Sequence, residues 1–252
     1  MQYSFLASYA LILFALWYSR REHFGLEKQI LTNSILAMLQ LGLLGYALVY
    51  LFKIEHPSLL FFILLGMVTF GAYTAKKRSP LGKNSFRIAF YTLAASSGIV
   101  FLSMMAFGVI HLVPNEMIPI GGMIIGNALN VYTQSIERFK GEVTNTLETI
   151  EGMVALGAPL KEALSFASKT SVKASMIPTL NMLQTVGIIH IPGITTGMLL
   201  AGADPLTAVS YQLAVMYMMV AVSLLAAAFS VTFSYKSIFG ALSCNTVTPA
   251  TR

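Results

Sequence analysis

The sequence predicts an all-α protein: a polytopic membrane bundle of about seven transmembrane helices, N-terminus outside and C-terminus cytoplasmic, plus an amphipathic cytoplasmic helical hairpin. Three observations predict it. Apolar residues make up 56% of the 252 and charged residues only 10%, and the mean hydropathy of +0.73 exceeds what a water-facing surface of this size tolerates. The apolar residues fall into seven runs, about 3–18, 30–52, 58–75, 87–112, 117–136, 179–203 and 206–235. Roughly 20 helical residues at 1.5 Å each cross a hydrocarbon layer of about 30 Å, so runs of this order read as spans. Finally, fifteen of the sixteen lysines and arginines fall in segments that lie on one side if the first run is a span; Lys53 is the exception. Basic loops are retained in the cytoplasm, which fixes the orientation.

The first run is the shortest. Arg20 and Arg21 follow it, whereas a signal peptide carries its positive charge ahead of the apolar stretch, so it reads as a retained helix. Lys28 precedes the second run. Lys76, Lys77 and Arg78 close the third, and Lys83 and Arg87 open the fourth. Most connections are short, which makes sequential helices antiparallel neighbours. Two spans read as interrupted: the fifth by Pro119, Gly121, Gly122 and Gly126, the sixth by Ile191-Pro192-Gly193. Proline removes a backbone hydrogen bond, and a broken membrane helix survives only where protein or water satisfies the freed groups.

The segment 137–178 is the one long charged stretch between spans. Phe139, Val143, Leu147, Ile150 and Val154 recur at three- and four-residue steps, with Lys140, Glu142, Asn145 and Glu148 between them. That is an amphipathic helix continuing the fifth span. Gly157 breaks it, Pro159 opens a short second helix carrying Leu160, Ala163, Leu164 and Ala167 on one face, and Pro178 closes the region and starts the sixth run. The organisation is one transmembrane domain over 1–238, with the cytoplasmic region at about 137–178, and a short polar tail over 239–252.

The chemistry in the spans is uncharged. No carboxylate lies near the middle of any run; Glu116 and Asp204 sit at outer ends, candidates for an outer mouth, and Asp204 before Pro205 also fits a helix N-cap. Asn127, Asn130 and Gln134 are spaced by three and four, which puts them on one face of the fifth helix, and such a face is expected to point into the bundle. With Gln184, Thr185, His190 and Thr196 of the sixth run, Gln212 of the seventh and the break at Pro192 and Gly193, they are the candidates for a translocation path. The bland alternative is interhelical hydrogen bonding. His190 has no second ligand beside it in sequence, and the fourteen methionines fit gap-filling in an apolar core, so no metal site is assigned. Cys244 stands alone, which excludes an intramolecular disulfide. There is no HExxH, GxSxG, CxxC or GxxxxGK[ST] motif, so the chain reads as no enzyme and as unable to hydrolyse ATP. The net charge of +6 is divided among juxtamembrane loops; anionic inner-leaflet lipid fits it, and nucleic acid does not.

Glu151 to Pro159, EGMVALGAP, resembles the cytoplasmic coupling motif of ABC-transporter permeases, with Gly152 and Met153 where two alanines are usual and Ile177-Pro178 later than the usual Leu-Pro. IPIGGMIIGNAL at 118–129, IPGITTGMLLAGADPLTAVSYQ at 191–212, and LEKQI followed by LGYALVYLF through 26–52 extend the likeness to most of the chain. Together they resemble the FetB-type permeases, bacterial iron-export ABC proteins with plant relatives linked to aluminium tolerance. His190 and Ile191 depart from that pattern.

The resemblance implies a permease subunit in the bacterial inner (plasma) membrane that forms a homodimer and exports metal, iron by analogy. A separate cytosolic ATPase, carrying ATP and Mg, would dock at Glu148, Glu151, Gly157, Pro159 and Lys161; no cofactor is expected in this chain. Alternatives are an ABC permease for another metal or a nucleotide sugar, and a membrane scaffold or receptor that transports nothing.

Overall fold

The computed structural model describes residues 2–52, 56–78, 81–189 and 191–247. Its described residues form ten α-helices, a short 3-10 turn and no β-strand, an all-α membrane bundle. Contacts divide the chain into two units, residues 1–55 and 56–252.

The first unit is a pair of helices, α1 (Gln2–Arg21) and α2 (Glu27–Leu51). They are joined by a tight reversal in which His23 takes a positive φ of 55° and the Phe24 amide bonds the Ser19 carbonyl. Ser19 Oγ donates to Glu27 Oε1 at 2.9 Å across the turn. Arg21 lies over the Trp17 ring, an arrangement suited to the membrane–water boundary. No residue of α2 is buried, as expected of an apolar helix whose surroundings are lipid.

The second unit contains α3 (Pro57–Arg78), α4 (Ser85–Ala106), α5 (Pro114–Asn145), α6 (Leu147–Ala155), α7 (Leu160–Ala163), α8 (Ser165–Thr185), α9 (Gly193–Leu200) and α10 (Pro205–Val247). The seven apolar runs coincide with α1, α2, α3, α4, the first part of α5, the α8–α9 pair and α10. Among the described residues four helices, Glu27–Leu51, Ser58–Arg78, Ser85–Ala106 and Pro205–Leu242, are long and apolar enough to cross a bilayer. The segment after residue 238 continues α10 to Val247.

α5 is the organising element. It packs on α3, α4, α8 and α10 and runs on to α6. Its buried residues, including Met117, Ile120, Ile124, Ala128, Val131, Ser135, Phe139 and Val143, follow three- and four-residue steps over its whole length. The amphipathic pattern read in the charged segment continues the fifth span only as far as Asn145; the chain turns at Thr146, and Leu147, Ile150 and Val154 lie on the separate helix α6. The expected interruption of that span does not occur. Pro119 lies within the second turn, where its missing N–H forfeits a single bond at the start of a 32-residue helix. Two of the three glycines serve close packing instead: Gly121 lies against Leu64 and Gly122 against Met67, both on α3, while a Cβ at Gly126 would meet nothing within 4 Å.

A second correction concerns Pro178, which was expected to end the cytoplasmic region and begin the sixth span. It sits inside α8, which runs unbroken across it. Membrane helices tolerate internal proline where local adjustment and neighbouring helices offset the lost bond; α8 packs on α5 and α10, with Pro178 itself on its exposed side. The interruption of the sixth run is real: α8 ends at Thr185, Gly187 adopts φ 82°, and a new helix starts at Gly193 after Pro192.

α10 begins with a capped turn. Asp204 Oδ2 accepts hydrogen bonds from the Thr207 amide at 3.1 Å and from Thr207 Oγ1 at 3.4 Å, the N-cap arrangement weighed from the sequence. Asp204→Ala should destabilise the start of α10 by about 1 kcal/mol, read as faster amide exchange at Thr207 and Ala208 with the rest of the helix unchanged.

Candidate functional site: polar node and cytoplasmic hairpin

The candidate path residues divide into those that the chain encloses and those that it leaves open. Asn127 is enclosed. Its Nδ2 donates to Ser223 Oγ at 2.7 Å and to the Met219 carbonyl at 3.2 Å, both on α10. Ser223 Oγ in turn donates to the Met219 carbonyl at 2.7 Å, and Thr179 of α8 lies 2.9 Å from the same oxygen. A hydroxyl has one proton and two lone pairs. With its proton directed at Met219, Ser223 accepts from both Asn127 and Thr179, and one buried oxygen ties three helices together. Below this node Ser135 Oγ donates to the Ala227 carbonyl at 3.4 Å, a second link between α5 and α10.

Asn130 and Gln134 are exposed, so the polar face expected to turn into the bundle does so only at Asn127. The reason is the width of the packing stripe: Val131, Tyr132 and Ser135 fill the buried side of α5, which rotates Asn130 and Gln134 outward. In the other half, Gln212 is buried and its Oε1 accepts from Thr195 Oγ1 at 3.4 Å, joining α9 to α10. Thr196, singled out from the sequence, is exposed and bonds back to the Pro192 carbonyl at 3.4 Å; Thr195 is the inward residue. Thr185 bonds the Asn181 carbonyl at 2.9 Å, and Gln184 is exposed. Pro192 caps α9 in extended backbone and Gly193 opens it. His190 lies outside the described residues.

Toward the outer side, Glu116 is half-buried. One of its oxygens, Oε2, accepts from the His111 backbone amide at 2.8 Å and lies 3.1 Å from His111 Nδ1. This carboxylate closes the loop ahead of α5. Sequence reasoning missed His111, although HLVPNE carries the histidine five residues ahead of the glutamate at a helix start. Thr179 and Ser223 were also missed; the available signal was a hydroxyl in each of two spans flanking a half-buried amide. Among the described residues no three His, Cys, Asp or Glu side chains gather, so the polar surface within the spans is amide and hydroxyl.

At the other end, α5 stops at Asn145 and Thr146 makes the corner, its Oγ1 donating to the Glu142 carbonyl at 2.7 Å. α6 follows, with Ile150 buried, Glu151 half-buried and Glu148 exposed. The helix ends in a paired-bond turn: the Gly157 amide bonds Val154 O at 2.9 Å and the Ala158 amide bonds Met153 O at 3.0 Å, with Gly157 at φ 95°. Pro159, extended, then caps α7, one residue ahead of the helix it was expected to begin, and Lys161 is exposed on α7. The turn presents Leu156, 91% exposed, and Met153, 39% exposed, beside Glu151. The five coupling candidates are thus brought onto one hairpin, and neither Glu148 nor Glu151 has an ion-pair partner among the described residues.

The sequence profile of the uncharacterised protein family UPF0014 matches residues 2–239. The chain is similar to the probable iron export permease protein FetB of Escherichia coli K12, 31% identical over 91% of this chain and 88% of the relative. It is 32% identical to the UPF0014 membrane protein YjkA of Bacillus subtilis, over 90% of this chain and 91% of that one. Protein ALUMINUM SENSITIVE 3 of Arabidopsis thaliana is 30% identical, over 92% and 85% respectively. No solved structure matches.

Proposed function

This multi-pass membrane protein belongs to the UPF0014 family, and from that premise we propose that it is the permease subunit of an ABC transporter that exports a metal ion, iron in the first instance. ATP, with Mg, is hydrolysed by a separate cytosolic subunit docked on the α6–α7 hairpin. The observation that carries the reading is that hairpin. On the side marked cytoplasmic by the basic residues, a turn held by two backbone bonds presents Leu156 and Met153 to water next to Glu151. Clustered apolar side chains on a short, well-formed loop are a protein-binding surface.

The mechanical part rests on α5. Thirty-two residues at 1.5 Å give a rod of about 48 Å, reaching from Glu116 past Asn127 to the hairpin. Closure of two ATPase subunits would push on the hairpins, and each α5 would carry that displacement to Asn127, Ser223 and Thr179. Asn130 and Gln134, exposed on a membrane span, support a homodimer in which the two copies face each other across a hydrated path, because amides turned toward lipid are costly.

Cargo follows the names of the relatives. That of the E. coli protein specifies iron export, which favours iron. The Arabidopsis name specifies aluminium sensitivity, which favours a second reading with another hard cation as cargo.

Membrane preparations in which this chain is tagged should retain a P-loop ATPase through detergent extraction, and proteoliposomes of the pair should move iron only with ATP. Glu151→Lys should lower ATPase retention and ATP-dependent flux about tenfold, the scale of reversing an interface charge. Retention and flux that are indifferent to Glu151→Lys would sink the docking assignment. Flux that persists without ATP and collapses with the proton gradient would sink the ABC reading.

A further inference from the structure

We propose that the cleft between α8 and α10 binds an anionic phospholipid of the cytoplasmic leaflet. It borders the hairpin, sharing Lys161 with it, but centres on α8 and α10 away from Glu151 and the polar node, and the proposal depends on membrane orientation and not on the transport reading. The cleft encloses about 400 Å³. Its floor is apolar, from Leu164, Val172, Ala228 and Val231, and its rim carries Lys161, Lys169 and Lys173.

Charge is the first argument for a phosphate-bearing occupant. Lys169 and Lys173 are one helical turn apart on the same face of α8, a like-charge pair that disfavours the helix unless an anion lies between. All three lysines are exposed, and none has an ion-pair partner among the described residues. Glu162, the one carboxylate on α7 and α8, is exposed and makes no ion pair with them. Hydroxyls of Ser165 and Thr232 add hydrogen-bonding capacity at the rim.

Depth is the second argument, and it selects a lipid over a soluble anion. Ala228 to Tyr235 lie about 35–45 Å along α10 from Pro205, just past a hydrocarbon layer of about 30 Å and within the headgroup zone that brings a bilayer to about 40–45 Å. A soluble phosphate would use the lysines and leave the apolar floor bare. An amphiphile fits both parts: the headgroup phosphate among the lysines, an acyl chain running from Val231 past Val172 and Ala228 toward the membrane interior.

The test is native mass spectrometry of the full-length protein with dioleoylphosphatidylglycerol and dioleoylphosphatidylcholine, which share acyl chains and differ in net charge. The wild type should retain phosphatidylglycerol preferentially. Lys169→Gln with Lys173→Gln should reduce that preference roughly tenfold or more, since each basic residue near an anionic surface contributes on the order of a several-fold factor. Lys169→Arg with Lys173→Arg should keep it, which separates charge from folding, and so should Lys76→Gln with Lys77→Gln at another cytoplasmic boundary. Equal loss in the Lys76/Lys77 control would mean a diffuse basic surface and overturn the site. Displacement by soluble glycerol 3-phosphate as effective as by the lipid would assign a free anion, and no preference in the wild type would remove the proposal altogether.

Discussion

Gly157→Val is expected to disconnect the cytoplasmic hairpin while leaving the membrane bundle folded. Gly157 stands at φ 95°, and an added Cβ there would meet nothing within 4 Å, so the penalty comes from the backbone and not from crowding. A β-branched residue held at positive φ costs about 1–3 kcal/mol. The hairpin has little to oppose that: α6 has nine residues, only Ile150 of them buried, and α7 has four. The chain would leave the left-handed conformation, the bonds from Gly157 to Val154 and from Ala158 to Met153 would open, and Leu156 and Glu151 would lose their fixed relation. Limited proteolysis should show new cleavage between residues 152 and 162 with the thermal midpoint in detergent nearly unchanged. Stimulation of the partner ATPase should fall at least as far as with Glu151→Lys. Gly157→Asn, which enters the left-handed region more easily, should retain much of the wild-type behaviour. A Gly157→Val protein with normal proteolysis and full coupling would show that the turn is dispensable.

The second large effect is expected inside the membrane. Gly121→Val should destabilise the packing of α3 on α5 by roughly 1–3 kcal/mol, the usual range for overfilling a packed interior. An added Cβ would fall within the Leu64 Cδ2 methyl, and Gly122, Cβ-free beside Met67 Cε, and Gly71, opposite Leu93 Cδ1, leave few directions for relief. Leu64 can rotate away from one methyl group, so Gly121→Ala should cost less than the valine. Gly126→Ala, where nothing lies within 4 Å, should be nearly neutral. Thermal unfolding in detergent checks the series, and Leu64→Ala combined with Gly121→Val should recover part of the loss if the two side chains compete for one space. Equal midpoints for Gly121→Val and Gly126→Ala would show that the helices separate freely at this contact.

These two glycines also show what was legible in the sequence and what was not. Gly157 could be read because it follows a short amphipathic helix and precedes a proline, a local arrangement with a local cause. Gly121 beside Pro119 could equally mean a broken helix or a close contact, and the decision belongs to Leu64 on a different helix. Pro178 is similar: by its own chemistry it ends a helix, yet α8, packed on α5 and α10, runs unbroken across it. The membrane class, the bundle and the helical character of the charged segment follow from composition, periodicity and charge placement, all properties of the chain alone. The polar node required knowing that Asn127, Thr179 and Ser223 meet, a coincidence of register among three helices that spacing along one helix does not contain. The same limit applies to Asn130 and Gln134, whose three- and four-residue steps put them on a common face with Asn127 but not on the side of α5 that its neighbours cover.

The shared oxygen of Ser223 restricts how these helices can move. Sliding α5 along α10 by a single residue, about 1.5 Å, would pull Asn127 away from both of its acceptors, and sliding α8 would do the same to Thr179. Tilting about the node keeps all of these bonds. With the second bond from Ser135 to the Ala227 carbonyl, the shared oxygen couples the three helices, so that a displacement of any one of them is felt by the other two at the same level of the bundle.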